Sequence, residues 1–467
     1  MAWKAVKFKD GLEGVEAAFP GYEVIAHRVG NQTDAIANNN KYFSAELLKL
    51  KNGQWLVMCH YGRVGDNGVL DYYGPSDEQD MRSEYESKCK EKIREKKYKE
   101  IKFVKPTVGT LKAREKSWGV DSAEVPADKK KKITESKDPK TPAVVLHSTV
   151  ERLIEQWFAD SSNAIQSNSA IEITSEGLKT PLGILTFAQI AKGRDVLGDL
   201  TKAIKKKDDD QIKILTSAFY SHIPTKLGRK ILDSDLLSTL EIVDTKFDLL
   251  QMMDDALEVG GSSYVSGAAV KYQELGVQLS YLEKTDPEWI RLDKKVQATK
   301  GNSHYVNTKV KNILKVVIPS ERARFEACKL GTPAELWHGS RNSNIVGILK
   351  SGLKIAPPEA PMTGYAFGKG LYAASHSTKS LNYSVLSFPN QRNTTNCFLF
   401  VLDAKLGKQL IKPYGDGGER EEARRGGFDS TWGKPGHGGS YRSLAFDEFI
   451  VYTVDQYSIK YIIEVER

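Results

Sequence analysis

Cysteine is scarce and scattered. The 467-residue chain has four, Cys59, Cys89, Cys328 and Cys397, with no CxxC and no Cys/His pairing at zinc-ligand spacing. This predicts reduced thiols inside a cell and no structural metal. An apolar run of roughly 18 residues is missing too, which excludes a membrane-spanning helix. The N-terminus, MAWKAVKFKDGLEGVEAAF, lacks the basic start, apolar segment and cleavage site of a secretory signal. The dinucleotide fingerprint GxGxxG is absent. The nearest approach to a P-loop, GYAFGKG from Gly364, is one residue short and puts Gly370 where Ser or Thr would meet magnesium. A Rossmann or kinase reading loses its warrant.

What is present is a composition of 40% hydrophobic and 27% charged residues, that of a globular protein. At roughly 100–200 residues per domain, the length implies about three domains. The net charge of +8 is localised: Lys88 to Lys116 holds twelve Lys/Arg against four Glu, an excess equal to that of the whole chain. Such a run is either a solvated helix face or a phosphate-binding surface that gains affinity by releasing counterions from nucleic acid.

Residues up to about 30 show little periodicity. YFSAELLKL, a turn at Asn52-Gly53 and QWLVMCHYGRVG then read as a hairpin, VLDYYG as a further strand, and the basic SEYESKCKEKIREKKY as a helix packed on that sheet. HYGRVGDNG, His60 to Gly68, resembles the signature of the WGR domain, with Tyr61 where the name-giving Trp stands; Asn31-Gln32-Thr33 and NNNKYF resemble its asparagine-rich lead-in. The resemblance implies a small β-sheet module that binds DNA ends and relays that binding to a catalytic region, with Tyr61 and Arg63 at its DNA or interdomain surface.

Ser117 to Pro142, containing DKKKKITESKDPKTP, buries too little to order itself and reads as a linker. Its Lys129 to Lys132 run is either linker charge or a nuclear-import signal. Four stretches between Leu146 and Val259 space apolar residues three or four apart, the mark of an all-α domain, with an N-cap among Asp208, Asp209 and Asp210. After Ser266 the period returns to two. VQLSYLEK, ILKVVIP, AELWHGS, LYAAS, NCFLFVLDAKL, EFIVYTV and IKYIIEVE read as strands in a mainly β domain with few helices, Asn344 to Leu349 being the clearest helix.

His338, Tyr372, Ser380 to Tyr383 and Glu448 are polar groups at the ends of strand-like segments. Alternation puts Glu448 among Phe446, Ile450 and Tyr452, where an unused carboxylate is costly. LWHGSR, GLKIAPPEAPMTGYAFGKGLYAAS, KSLNYS and DEFIVY resemble the catalytic domain of the poly(ADP-ribose) polymerases, in the diphtheria-toxin-like ADP-ribosyltransferase family. TPLGILTFAQI and AFYSHIP resemble their helical regulatory domain. No zinc-finger or BRCT-like segment precedes the WGR-like stretch, so the resemblance is to the shorter DNA-dependent members.

The resemblance implies that NAD is consumed as a substrate, without a metal, and that His338, Tyr372 and Glu448 are the catalytic triad. Glu448 would stabilise an oxocarbenium-like ribose, hold a ribose hydroxyl and orient the acceptor; His338 would position the adenosine ribose. Tyr372 and Tyr383 would sandwich nicotinamide, and the Gly339 backbone with the Ser380 hydroxyl would bind its carboxamide, Gly339 lacking a side chain to allow that approach. Ser340 completes the NAD-binding set. Pro357 to Gly370 would be a stiff loop over the dinucleotide, and Lys369 or Lys379 would meet pyrophosphate or acceptor unless simply exposed.

The expected fold class is multidomain α+β: a WGR-like DNA-binding domain over 1–116, a linker over 117–142, a helical regulatory domain over 143–262 and a mainly β ADP-ribosyltransferase domain over 263–467. The expected function is transfer of ADP-ribose from NAD to protein acceptors, the enzyme itself included, extending to poly(ADP-ribose), activated by DNA strand breaks, in the nucleus, with no membrane partner. Single-unit transfer and a non-enzymatic DNA-end scaffold are the alternatives, the latter disfavoured by the intact triad. The Gly-rich run before Glu448, 415–443, has no role assigned by the resemblance.

Overall fold

The computed structural model describes residues 6–7, 18–19, 22–34, 39–64, 66, 68–96, 98–101, 145–181, 183–227, 232–301, 308–361, 365–385, 396–435 and 444–466. The whole of the expected linker, 117–142, with its Lys129 to Lys132 run, lies outside them. The described residues fall into two compact units, one within 1–136 and 168–257, the other within 137–167 and 258–467.

In the first unit, β1 (Val6–Lys7), β2 (Glu23–Asp34), β3 (Asn39–Lys49), β4 (Trp55–Arg63), β5 (Val69–Ser76) and β6 (Lys99–Ile101) form an antiparallel sheet in the order β1-β5-β4-β3-β2-β6. β3 and β4 are the hairpin expected at Asn52-Gly53, with Gly53 at φ +84° as a tight turn requires. Alternation sends Phe43, Ala45, Leu47, Val57 and Cys59 to one face, where α1 (Glu78–Cys89) covers them with Met81, Tyr85 and Cys89; Leu48, Leu56, Met58 and Leu70 form the other face's cluster. The basic run thus begins on a helix packed against the sheet and continues as a π-helical segment over Lys90–Glu95. β2 was not legible because a bulge between Val24 and Ala26 shifts the phase of its alternation.

The helical stretches form α2 (Ser148–Asn168), α3 (Phe187–Lys206), α4 (Asp209–His222) and α5 (Leu240–Val259). α3 starts at a capping box of Thr186 and Gln189, and Asp208 caps α4 by accepting from the Gln211 amide at 3.1 Å. The region is not purely helical. A three-stranded meander, β7 (Glu172–Thr174), β8 (Gly177–Thr180) and β9 (Gly183–Ile184), lies between α2 and α3, its strands too short to show a period.

The second unit adds α6 (Ala268–Leu275), β10 (Gln278–Tyr281), α7 (Pro287–Ala298), β11 (Val310–Val317), α8 (Pro319–Ala327), β12 (Ala334–Gly339), α9 (Ile345–Ser351), β13 (Leu371–Ala373), α10 (Ser377–Val385), β14 (Asn396–Ala404), β15 (Gln409–Lys412), α11 (Glu419–Gly426), β16 (Ser430–Gly433), β17 (Glu448–Val451) and β18 (Tyr457–Glu466). A five-stranded sheet runs β10-β11-β18-β14-β12 and a four-stranded one β13-β17-β16-β15. β14 reads as a nearly continuous apolar run because both of its faces are buried. Phe398, Phe400 and Leu402 share a core with Leu153, Ile154, Trp157 and Phe158 of α2, while Leu399 and Val401 pack with Leu292 and Val296 of α7 and Leu381 of α10. Helices are more numerous here than the strand-rich pattern led us to expect. Among the described residues, no helix is long and apolar enough to cross a membrane.

Glu321 on α8 is fully buried, with one carboxylate oxygen accepting from the Ile459 amide at 2.6 Å. Burial raises its pKa from 4.5 to about 7. The folded state therefore binds more protons than the unfolded chain between these values, so stability is fully present below about pH 4.5 and is lost as pH rises toward 7 and above, by roughly 3 kcal/mol. Glu321→Gln keeps the amide contact and removes the titration. Thermal midpoints compared at pH 5 and pH 8.5 should fall with pH in the wild type from this group and lose that component in the variant; equal pH dependence in both would refute the assignment.

Candidate functional site

Three strands, β12 of the five-stranded sheet and β13 and β17 of the four-stranded one, bring the predicted residues together. β17 pairs with β13, with Leu371 opposite Val451, Tyr372 opposite Ile450 and Ala373 opposite Phe449; the next residue, Ala374, leaves to bridge Trp337 of β12 through two backbone hydrogen bonds of 2.9 Å. Directly opposed residues share a sheet face and so do residues two apart, so Tyr372, Ile450 and Glu448 face the same way. His338 follows Trp337 on the neighbouring strand.

His338 Nδ1 donates to the Tyr372 carbonyl at 2.8 Å. A carbonyl can only accept, so this bond fixes the tautomer and leaves Nε2 as an acceptor. Burial lowers the His338 pKa, which keeps the ring neutral. The Tyr372 hydroxyl accepts from the Phe367 amide at 2.9 Å and donates to the Gly368 carbonyl at 2.7 Å, and burial raises its pKa. Its ring is thereby locked to the 365–370 segment.

α10 supplies Lys379, Ser380 and Tyr383. Ser380 to Tyr383 read from sequence as lying at a strand end; the structure makes them helical, and a nine-residue helix with Leu381 as its deepest apolar residue is too short to reveal its period. Lys379 forms an ion pair with Glu448, both side chains being 14% exposed, and also donates to the Asp447 carbonyl at 3.4 Å. Burial lowers the Lys379 pKa and Glu448 partly offsets this. Burial also raises the Tyr383 pKa, with Glu448 adding to the effect. Tyr383 remains half exposed, whereas Ser380 is buried. The Ser340 hydroxyl accepts from Asn344 at 3.3 Å.

Two expectations change. A Cβ on Gly339 would lie 1.7 Å from the Ser380 carbonyl oxygen, so the space beside Gly339 is already filled by the backbone of α10, and this suffices to require glycine whatever the ligand. Lys369 is neither exposed nor directed outward: its ammonium is buried and donates to the carbonyls of Pro357, Pro358 (2.8 Å) and Ala360 (2.6 Å). Pro357 and Pro358 have no N–H to donate; the Ala360 amide reaches the Pro357 carbonyl at 3.1 Å, and the lysine supplies further donors to this loop. The Gly-rich run also gains a place where it is described: Gly417 donates to the Ala366 carbonyl at 2.9 Å, and buried Glu419 accepts from the amides of Asp416 and Gly417. Its residues 436–443 lie outside the described set.

Sequence reasoning missed Ser375, just beyond β13, Trp432 of β16 and Asp447, just before β17, which meet beside Glu448; no local pattern marks them. Tyr61 and Arg63 lie in the first unit, on β4. The Tyr61 hydroxyl donates to Asp71 at 2.7 Å, and the Lys92 ammonium lies 4.9 Å from its ring centroid. Gly62 and Gly68 approach so closely that a Cβ on Gly62 would lie 2.7 Å from the Gly68 Cα, which accounts for that glycine spacing. Among the described residues, no group of three or more His, Cys, Asp or Glu could hold a metal ion.

Comparison with known proteins finds three consecutive matches. Residues 27–105 match the WGR domain, 145–262 the poly(ADP-ribose) polymerase regulatory domain and 287–467 the poly(ADP-ribose) polymerase catalytic domain. The poly [ADP-ribose] polymerase 2-A of Oryza sativa subsp. japonica is 29% identical over 93% of this chain and 69% of its own length. The poly [ADP-ribose] polymerase 2 of Arabidopsis thaliana is 25% identical over 93% of this chain and 72% of its own. The poly [ADP-ribose] polymerase of Sarcophaga peregrina is 29% identical over 98% of this chain but only 48% of its own length.

Proposed function

The chain belongs to the poly(ADP-ribose) polymerase family, and we propose from this premise that Glu448, His338 and Tyr372 carry its ADP-ribosyl transfer from NAD, under the control of DNA strand breaks. The observation that carries the reading is the pairing of β13 with β17, joined to β12 by the Trp337–Ala374 bridge and the His338–Tyr372 hydrogen bond, which supports a common site for His338, Tyr372 and Glu448.

In the reaction the bond between ribose C1′ and the nicotinamide nitrogen breaks. Its electron pair stays with nicotinamide, which leaves neutral, and the ribose acquires oxocarbenium character. The Glu448 carboxylate stabilises that charge, holds a ribose hydroxyl and orients the acceptor; the acceptor oxygen bonds to C1′ and releases its proton to the carboxylate or to water. Lys379 pairs with Glu448 and holds its carboxylate in place. His338, neutral with Nε2 as acceptor, takes a hydrogen bond from the adenosine ribose, a positioning role without proton transfer. Tyr372 and Tyr383 flank nicotinamide, Gly339 and Ser380 bind its carboxamide, and Ser340 and Lys379 complete the NAD contacts.

Residues 1–116 form the DNA-binding domain, with Tyr61, Arg63 and the basic run reading the break. Residues 143–262 restrain NAD access until released, 117–142 link the two, and 263–467 perform transfer. Acceptors are proteins, the enzyme included; transfer extends to poly(ADP-ribose), and the protein acts in the nucleus in the DNA damage response. The test is incubation with labelled NAD, with and without nicked DNA. Label incorporation should rise at least about tenfold with nicks, and the gain should shrink with salt as phosphate contacts are screened. Equal incorporation in both arms would remove the break-sensing role, and none in either would remove the enzymatic one.

A further inference from the structure

On the β13 side the β17 ladder ends at Phe449, because Ala374 has turned away to Trp337. Glu448 is thus the first residue of a strand whose backbone is paired there on the β16 side alone, with Gly433 opposite. A catalytic carboxylate needs tighter placement than one flank of backbone pairing provides. The residue before it supplies the missing restraint. Asp447 Oδ1 accepts from Trp432 Nε1 of β16 at 2.8 Å, and Oδ2 accepts from the Ser375 hydroxyl, just beyond β13, at 3.2 Å. One carboxylate therefore spans both flanking strands where the ladder stops. Trp432 is itself held by stacking on Phe449, with ring centroids 5.7 Å apart and planes 17° apart.

Ser375 has one proton. With that proton given to Asp447, its oxygen accepts from His376 Nδ1 at 3.0 Å, so the chain runs from imidazole through hydroxyl to carboxylate. His376 lies 4.8 Å from the Phe446 ring, between centroids, which ties the same chain to the residue preceding Asp447. Lys379 closes the arrangement by reaching both the Asp447 carbonyl and the Glu448 carboxylate.

We propose that Asp447 is a positioning residue for Glu448: by bridging Trp432 and Ser375 it extends the sheet's restraint one residue past the backbone ladder and holds the reacting carboxylate in register. The inference rests on the role given to Glu448 above, and it acts only through that residue.

Asp447→Ala should lower kcat for nicotinamide release from NAD by about a hundredfold, the effect of a misplacement near 1 Å, with KM for NAD within about threefold. Trp432→Phe, which keeps the stacking ring and removes the N–H, should lose part of this, and Asp447→Asn should recover part. In a Glu448→Gln background, Asp447→Ala should cost less than about threefold more, because a residue acting through Glu448 has nothing left to position. Hydrogen–deuterium exchange of the peptide spanning 446–451 should rise in Asp447→Ala while that of β14 is unchanged. Losses that multiply in the double variant, an unaffected kcat, or unchanged exchange over 446–451 would each overturn the proposal. The exchange measurement decides it even if the wild type releases no nicotinamide, a result that would by itself remove the enzymatic reading.

Discussion

Glu448→Gln is expected to reduce ADP-ribosyl transfer by on the order of a thousandfold, the scale on which removing one electrostatic stabiliser of a developing charge acts. The substitution keeps shape and removes charge. The amide still offers an oxygen to a ribose hydroxyl, so NAD binding measured by calorimetry should change by less than about tenfold, and the loss should fall on kcat. One complication comes from Lys379, whose ammonium is buried against this carboxylate. Without its partner it would be an uncompensated cation, and burial already lowers its pKa. The double variant Glu448→Gln with Lys379→Met separates the two effects. If the carboxylate itself stabilises the ribose charge, removing the lysine restores stability and leaves the rate depressed. Recovery of transfer in the double variant, or a single-variant loss below about tenfold, would show that Glu448 does not carry the step.

Most of the second unit's strand framework was legible because it is made of short, strongly alternating or doubly buried segments, and NCFLFVLDA could hardly be anything other than a central strand; β15 and β16, four residues each, were too short to show a period. The three positions proposed as the triad were picked out through flanking motifs, since LWHGS, GLYAAS and DEFIVY are specific even though a lone histidine or tyrosine is not. What stayed hidden was relational. The period of α2 announces an apolar face, but nothing local says that Trp157 will meet Phe398, with ring centroids 5.5 Å apart, in the core of the second unit. Lys369 looks like any lysine in a Gly-rich loop until the carbonyls of Pro357, Pro358 and Ala360 are found around its ammonium. Asp447, Ser375 and Trp432 are separated by up to 72 positions and meet only through the order of strands.

Gly339→Ala is expected to inactivate the enzyme and to destabilise the second unit by about 3 kcal/mol or more, at the upper end of overpacking costs. The added carbon would lie 1.7 Å from the Ser380 carbonyl oxygen and 3.1 Å from the Ser384 hydroxyl. The first contact is with backbone, so no side-chain rotation relieves it; α10 must move as a body. That helix carries Leu381 into the core shared with Trp337, and it carries Lys379 to Glu448. A shift that clears the methyl therefore strains the core and pulls the cation off the carboxylate together, which couples the stability loss to the activity loss. A ligand-only explanation for this glycine gives a different result: KM for NAD would rise while the melting temperature stayed at the wild-type value. Differential scanning calorimetry of Gly339→Ala without NAD discriminates the two. A drop in the unfolding midpoint of several degrees supports steric exclusion by α10. An unchanged midpoint with impaired NAD binding would instead assign the glycine to nicotinamide alone.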